Sequence, residues 1–251
     1  MGLFDRTASK LSASTTLLLT ADPGDALLDA ARLYDPEVRR WPGRLIFRNG
    51  VLLFGPVVVT PKLEQQAGLP AGMAVAWYTR AASQPHREER SHEAKHDDGD
   101  KLVRGLADRL GGIVQYAGPP PDLALLTSVY SEQALAPDRV IEVLRPYGGN
   151  FRVEDEEEDS YSLTGKGTYF FVAYWSPRLY QEKDAPPAVG AMRSRPLHHW
   201  DLHTGTSPKH VARELVQRVG EATLALARDS GGVALDMLGF PISSADDLLP
   251  R

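Results

Sequence analysis

The sequence predicts an α+β fold of two similar ferredoxin-like (split βαβ) halves in tandem duplication, with helices packed on antiparallel or mixed sheet. Three observations carry this. Residues 106–112 read Leu-Ala-Asp-Arg-Leu-Gly-Gly and residues 226–232 read Leu-Ala-Arg-Asp-Ser-Gly-Gly, each closing a helix and opening a strand. Each half shows strand, helix, two or three strands, helix, strand. Short apolar runs also correspond: Leu18-Leu19-Thr20 with Leu125-Leu126-Thr127, and Val75-Ala76-Trp77-Tyr78-Thr79 with Val172-Ala173-Tyr174-Trp175-Ser176. Gly118 followed by three prolines is too stiff for helix or central sheet, so the halves are residues 1–118 and 119–251.

In the first half, the Ser/Thr-rich residues before Thr16 read as a loosely held lead-in, and residues 17–19 as a buried strand. Asp22-Pro23 supplies a cap and a first-turn proline. Ala26, Leu27, Ala30, Ala31 and Tyr34 then make one helical face that Pro36 ends. Asn49-Gly50 marks a hairpin between residues 44–47 and 51–54, because both central positions of such a turn favour positive φ. Val57 to Val59 continue or bend its second strand, and residues 68–72 are a loop. The apolar density of residues 74–79 places them centrally in a sheet. Residues 81–100 read as an exposed connection leading to a helix from about Asp97, with Leu102, Val103, Leu106 and Leu110 inward, closed by Gly111-Gly112.

The second half repeats this order with a strand at 123–129 and a helix primed by Pro137, whose face is Val140, Ile141 and Leu144. Strands at 151–153 and 161–163 bracket an acidic run, Gly165-Lys166-Gly167 turns the chain into 168–175, and residues 176–197 form a long hydrophilic insertion. A final helix from about Ser207, the longest expected, carries Val211, Leu215, Val219, Ala222 and Leu226 inward, with Gly220 as an interior weak point. A strand at 233–238 and a loose tail from Ser243 close the chain.

Composition narrows the chemistry. A chain of 251 residues, 42% hydrophobic and 24% charged, folds rather than staying disordered. The formal charge of −5 gives no global attraction for nucleic acid or anionic membrane. With no cysteine, disulfides, thiolate metal sites and cysteine nucleophiles are excluded. The longest N-terminal apolar run, Leu17 to Leu19, is too short for a signal core or a membrane span, and a cytoplasmic location is the expectation.

Four groups of residues are candidate sites. His92-Glu93-Ala94-Lys95-His96 has zinc-protease spacing, but its charged surroundings and Lys95 fit a solvated connector better. In His199-Trp200-Asp201-Leu202-His203, strand alternation puts His199, Asp201 and His203 on one side, a set that suits a divalent transition metal; a half-buried strand reads the same way. His198 faces the other side, and His210 lies on the following helix. Glu154, Asp155, Glu156, Glu157, Glu158 and Asp159 form an acidic hairpin suited to a protein partner with a basic surface. Trp77, Tyr78, Tyr174 and Trp175, at matching places in the two halves, are candidate ligand-binding residues, although strand aromatics commonly belong to cores. Gly165-Lys166-Gly167-Thr168 lacks the earlier glycine of a phosphate loop, and no nucleophile elbow or dinucleotide fingerprint occurs. The expected function is non-catalytic binding or regulation, of a protein partner or small ligand, through the seam between the halves or the acidic hairpin, without a cofactor. The alternative is a metal-dependent hydrolase using His199, Asp201 and His203.

Overall fold

The computed structural model describes residues 3–81, 92–120, 126–148, 150–165, 171–178, 185–204 and 212–248. The chain divides into two compact units, Met1–Pro121 and Asp122–Pro250. The fold is mixed α+β, with two six-stranded sheets whose paired strands all run antiparallel. Among the described residues no helix is long and apolar enough to cross a membrane.

The N-terminal unit runs α1 (Leu3–Ser12), β1 (Thr16–Leu19), α2 (Asp25–Tyr34), β2 (Arg39–Trp41), β3 (Arg44–Ile46), β4 (Val51–Val58), α3 (Pro61–Ala67), β5 (Val75–Ala81), α4 (His92–Leu110) and β6 (Ile113–Gln115). Its sheet order is β2-β3-β4-β5-β1-β6, so β5 is central as its composition implied. The expected lead-in is instead the helix α1, whose Ala8 and Leu11 pack with Leu63, Ala67 and Leu69. Burying those side chains compensates for the polar residues on its other faces. Helix α3 was not among the expected elements, although its signals are plain: Thr60 Oγ1 accepts the Leu63 N–H at 3.3 Å, Pro61 opens the helix, and Gly68 ends it at φ 64°. Helix α4 begins at His92, inside the stretch expected to be an exposed connection, so the backbone of residues 92–96 is helical. Residues 82–91 of that connection lie outside the described residues.

The Asn49-Gly50 hairpin forms with a different turn. The Gly50 N–H donates to the Phe47 carbonyl at 3.0 Å, which puts Arg48 and Asn49 at the centre and Gly50, φ 85°, just after them. Buried Asp35 ties this hairpin to the end of α2, its carboxylate accepting the backbone N–H groups of Glu37 at 2.9 Å and Arg48 at 2.5 Å. At the start of α2 the cap is Gly24, with Asp22 Oδ1 accepting its N–H at 3.0 Å.

The C-terminal unit runs β7 (Leu126–Ser131), α5 (Pro137–Gly148), β8 (Phe151–Glu156), β9 (Ser160–Gly165), β10 (Phe171–Trp175), β11 (His198–His203), α6 (Arg213–Ser230) and β12 (Val233–Leu235), with sheet order β12-β7-β11-β10-β9-β8. The expected hydrophilic insertion contains a 3-10 segment, Pro187–Ser194, that packs Ala188 and Val189 with Tyr130, Leu197 and Leu235. The polar composition of the insertion hid Ala185, Ala188 and Val189, small apolar residues that pack on Tyr130 and Leu235 of the sheet. The expected loose tail holds a 3-10 turn, Ala245–Leu248, seated on α6. Gly220 makes room for it: a Cβ there would lie 2.8 Å from Ala245 Cα, so this glycine is a close-packing position rather than a weak point. Helix α6 has 18 residues, one fewer than α4.

Counted within each unit, both sheets have the strand order second, third, fourth, fifth, first, sixth. In both, a helix follows the first strand and another joins the fifth to the sixth; α3 and the Pro187–Ser194 segment each connect the fourth strand to the fifth. The repeated Gly-Gly pair has one geometry. Gly111 and Gly231 end their helices at φ 66° and 64°. Gly112 and Gly232 donate their N–H to Ala107 and Ala227, at 2.9 and 2.8 Å, and a Cβ on either would strike the carbonyl of Leu18 or Tyr130. The second glycine of each pair thus lets the helix end lie directly on the first strand of its sheet.

Candidate functional site

Strand register fixes which positions correspond. Ile113 pairs with Leu18, and Val233, also just after its Gly-Gly pair, pairs with Tyr130. Leu17 then pairs with Trp77 as Val129 pairs with Trp200. Trp77 and Trp200 therefore hold equivalent positions, each on the fifth strand, Trp77 beside Leu27 and Leu28 of α2 and Trp200 in the core with α5 and α6. The sequence matches pointed elsewhere. They set residues 75–79 against 172–176, but β5 borders the first strand and β10 does not; they set Leu18 against Leu125, whereas register sets Leu18 against Tyr130. Apolar strands resemble one another in composition, and only hydrogen-bonded pairing separates them.

Around Trp200 the space is filled. Tyr174 lies opposite it on β10, Tyr161 lies opposite Tyr174 on β9, and the two phenol rings stack 4.5 Å apart. The Trp200 Nε1–H donates to the Tyr161 hydroxyl at 2.9 Å, and that hydroxyl donates to the Leu135 carbonyl at 3.3 Å. Burial drives the Tyr161 phenol well above its ordinary pKa, so it stays a neutral donor.

Around Trp77 the same positions hold two glycines and a proline in place of the two tyrosines. Opposite Trp77 the ladder skips from Phe54 to Val57, and the bulged residues are Gly55 and Pro56, joined by a cis peptide bond. Gly43 stands at the position that Tyr161 holds in the other sheet, its carbonyl accepting the Gly55 N–H at 3.0 Å. The result is a cleft of about 340 Å³ bounded by Arg40, Trp41, Pro42, Gly43, Arg44, Leu45, Gly55, Pro56 and Trp77. A smaller recess shares Arg40, Leu45, Pro56 and Trp77 and adds Asp22, Leu27 and Leu28. Trp77 is only 8% exposed and Trp41 is 59% exposed, so one indole is a fixed wall and the other an open one. Two residues of the wall carry a buried donor with no acceptor among the described residues, Trp77 at Nε1–H and Arg44 at Nε–H, the Arg44 guanidinium lying over the Phe54 ring at 5.9 Å; such a donor costs about 1–3 kcal/mol while it stays unpaired. Arg40 pairs with Leu45, which puts it on the Trp77 face, and its guanidinium meets Asp25 at 3.0 Å, an exposed pair worth little.

The bulge has to be glycine for reasons of space. A Cβ on Gly55 would sit 2.6 Å from Trp77 Cδ2 and 2.9 Å from the Ala76 carbonyl oxygen. Gly55→Ala is expected to cost about 2 kcal/mol by overpacking and to shift the Trp77 fluorescence. A urea midpoint equal to that of the parent chain would contradict this packing.

The other sequence candidates lie apart from the cleft. Tyr78 faces the opposite side of β5 from Trp77 and stacks on Phe54, ring centroids 5.5 Å apart. Tyr174 belongs to the core around Trp200, and half-buried Trp175 stacks on His199 at 5.2 Å. On β11, His199, Asp201 and His203 alternate with buried Trp200 and Leu202 as expected. His199 Nε2 and Ser128 Oγ both bond Asp201 Oδ1, at 2.8 and 2.5 Å, while His203 stacks on Phe171. Among the described residues no three His, Asp or Glu side chains are gathered to hold a metal ion. Nor is this a nucleophile relay, in which the serine must bond the histidine; here both bond the carboxylate. The acidic run spans the exposed end of β8 and its turn, where Arg152 meets Glu154 at 3.2 Å and Arg178 meets Glu158 at 2.9 Å. The chain's own arginines thus offset part of its charge. The side chains of His92 and His96 lie outside the described residues.

His198 is a titrating group with a readable effect. Its Nδ1 lies 2.8 Å from the Tyr174 hydroxyl, and burial pushes its pKa below the ordinary 6.5. The unfolded chain therefore binds the proton more readily, and stability falls as pH drops below about 6.5, levelling off once the folded histidine also titrates. His198→Asn should flatten that part of the stability–pH curve. An unchanged slope would show that other groups set it.

No family model matches the chain, and neither does any curated protein or any solved structure.

Proposed function

We propose that this chain is a non-catalytic binding protein, built by tandem duplication of a ferredoxin-like unit, in which the N-terminal copy has opened a ligand cleft beside Trp77. The shared strand order and the matching Gly-Gly geometry support the duplication. Within each unit, the fourth, fifth, first and sixth strands have the neighbour order of a split βαβ sheet, with two strands added at the outer edge. The observation that carries the binding reading is the contrast at equivalent tryptophans. Tyr174 and Tyr161 fill the space and satisfy the indole in one unit, and Gly55-Pro56 and Gly43 leave a cleft with unmet donors in the other. Duplicated copies diverge most freely where one keeps the packing and the other takes on binding. The acidic hairpin, with six carboxylates at one tip, offers a second surface suited to a basic partner.

The test uses the full chain, labelled with nitrogen-15, against a library of small molecules of mixed charge. Ligands are expected to move the Trp77 indole and the Gly43 and Gly55 amides and leave the Trp200 indole in place. Trp41→Ala strips one wall with little loss of stability, because Trp41 is largely exposed, and should abolish those shifts. A library that perturbs only signals away from the cleft, or shifts that survive Trp41→Ala, would sink the reading.

A further inference from the structure

We propose that the Trp77 cleft takes a small aromatic carboxylate, with the carboxylate held by Arg40 and the ring seated against Trp41 and Trp77; this rests on the binding reading above. The chemistry of the wall selects the charge. The protein as a whole carries −5, yet the side chains that bound the larger cleft are arginine, tryptophan, proline and leucine, with no carboxylate among them. Its polar side-chain groups are donors: the Arg40 guanidinium, with Arg44 Nε–H and Trp77 Nε1–H buried and without acceptors among the described residues. A cleft whose polar side chains only donate suits a ligand that accepts.

Shape narrows the class. A guanidinium presents a planar fork that matches the two oxygens of a carboxylate. Two indoles and two prolines favour a flat ring over an aliphatic chain, and a volume of about 340 Å³ is at the small end of ligand sites. Arg40 is available because its present partner, Asp25, is solvent-exposed and gains little from the pair. A carboxylate beside Trp41 replaces that contact with one partly shielded from water.

The experiment titrates the full chain with benzoate, its neutral isostere benzamide, the cation benzylamine, and inorganic phosphate, following the Trp77 indole signal. Benzoate is expected to move it downfield and to bind at least tenfold more tightly than benzamide, with benzylamine and phosphate giving no saturable shift. Arg40→Gln should weaken benzoate tenfold or more and leave benzamide unchanged. Asp25→Asn, which frees Arg40, should tighten benzoate instead, and this opposite sign separates recognition from a general loss of structure. If benzamide or benzylamine binds as well as benzoate, or if both variants leave benzoate unaffected, the carboxylate assignment is overturned while the cleft remains a binding site. Equal binding of phosphate overturns it in favour of a general anion site. If none of the four probes moves the Trp77, Gly43 or Gly55 signals, the aromatic-carboxylate assignment is overturned, and the binding reading stands or falls on the library test.

Discussion

Alanine at Gly232 is expected to destabilise the protein by about 3 kcal/mol, against about 1 kcal/mol for alanine at the neighbouring Gly231. The order reverses what backbone conformation alone implies, because Gly231 is the residue with positive φ, at 64°, and Gly232 is not. The difference is space. A Cβ on Gly231 meets nothing within 4 Å, whereas one on Gly232 collides with the Tyr130 carbonyl oxygen and comes within 3.0 Å of Ser131 Cβ. A backbone carbonyl inside a sheet cannot move aside without breaking its ladder, so the helix end must lift from β7. Gly112 stands in the same relation to Leu18, and Gly112→Ala should exceed Gly111→Ala in the same way. Urea unfolding of the four single variants measures this directly. If the first glycine of either pair proves the costlier, the close approach described for that unit is wrong.

The second large effect is at the equivalent tryptophans. Trp200 is fully buried, and Trp200→Ala should cost about 4 kcal/mol through lost burial and the cavity left behind. The milder change to phenylalanine is more informative. Trp200→Phe removes the donor that the Tyr161 hydroxyl accepts at 2.9 Å, and should cost about 1–2 kcal/mol beyond the packing change. Trp77→Phe removes an N–H with no acceptor among the described residues and should be close to neutral. The same substitution at equivalent positions thus separates a satisfied indole from an unsatisfied one. Equal losses at both sites would mean that Trp77 Nε1 is paired.

Both predictions depend on features of different legibility. The Gly-Gly pairs were legible because a helix stop is a local event: a left-handed residue at the end of an apolar stripe needs glycine whatever lies beyond it. The stripe of α5 and the alternation of β11 were legible for the same reason, since side-chain direction follows from the backbone period. Helix α1, the Pro187–Ser194 segment and the turn at Ala245–Leu248 were not. Each is short or polar on average and is held by a few small apolar residues whose partners are distant in the chain: Leu11 among Leu63, Ala67 and Leu69, and Val189 near Tyr130 and Leu235. Of the candidate ligand-binding residues Trp77, Tyr78, Tyr174 and Trp175, Trp77 lines the cleft; Tyr78 lies across its strand from Trp77, and the other two belong to the second unit.

By itself the sequence determined the α+β class, the glycine stops of the two longest helices and the alternation of β11, all of which follow from local periodicity and backbone stereochemistry. Tertiary structure decided which strands are neighbours. Only the hydrogen-bonded register shows that Trp77 corresponds to Trp200, and that Gly43, Gly55 and Pro56 lie where Tyr161 and Tyr174 stand in the other unit. The cleft is a property of what is missing beside a side chain, and pairings between segments remote in sequence are what place that gap.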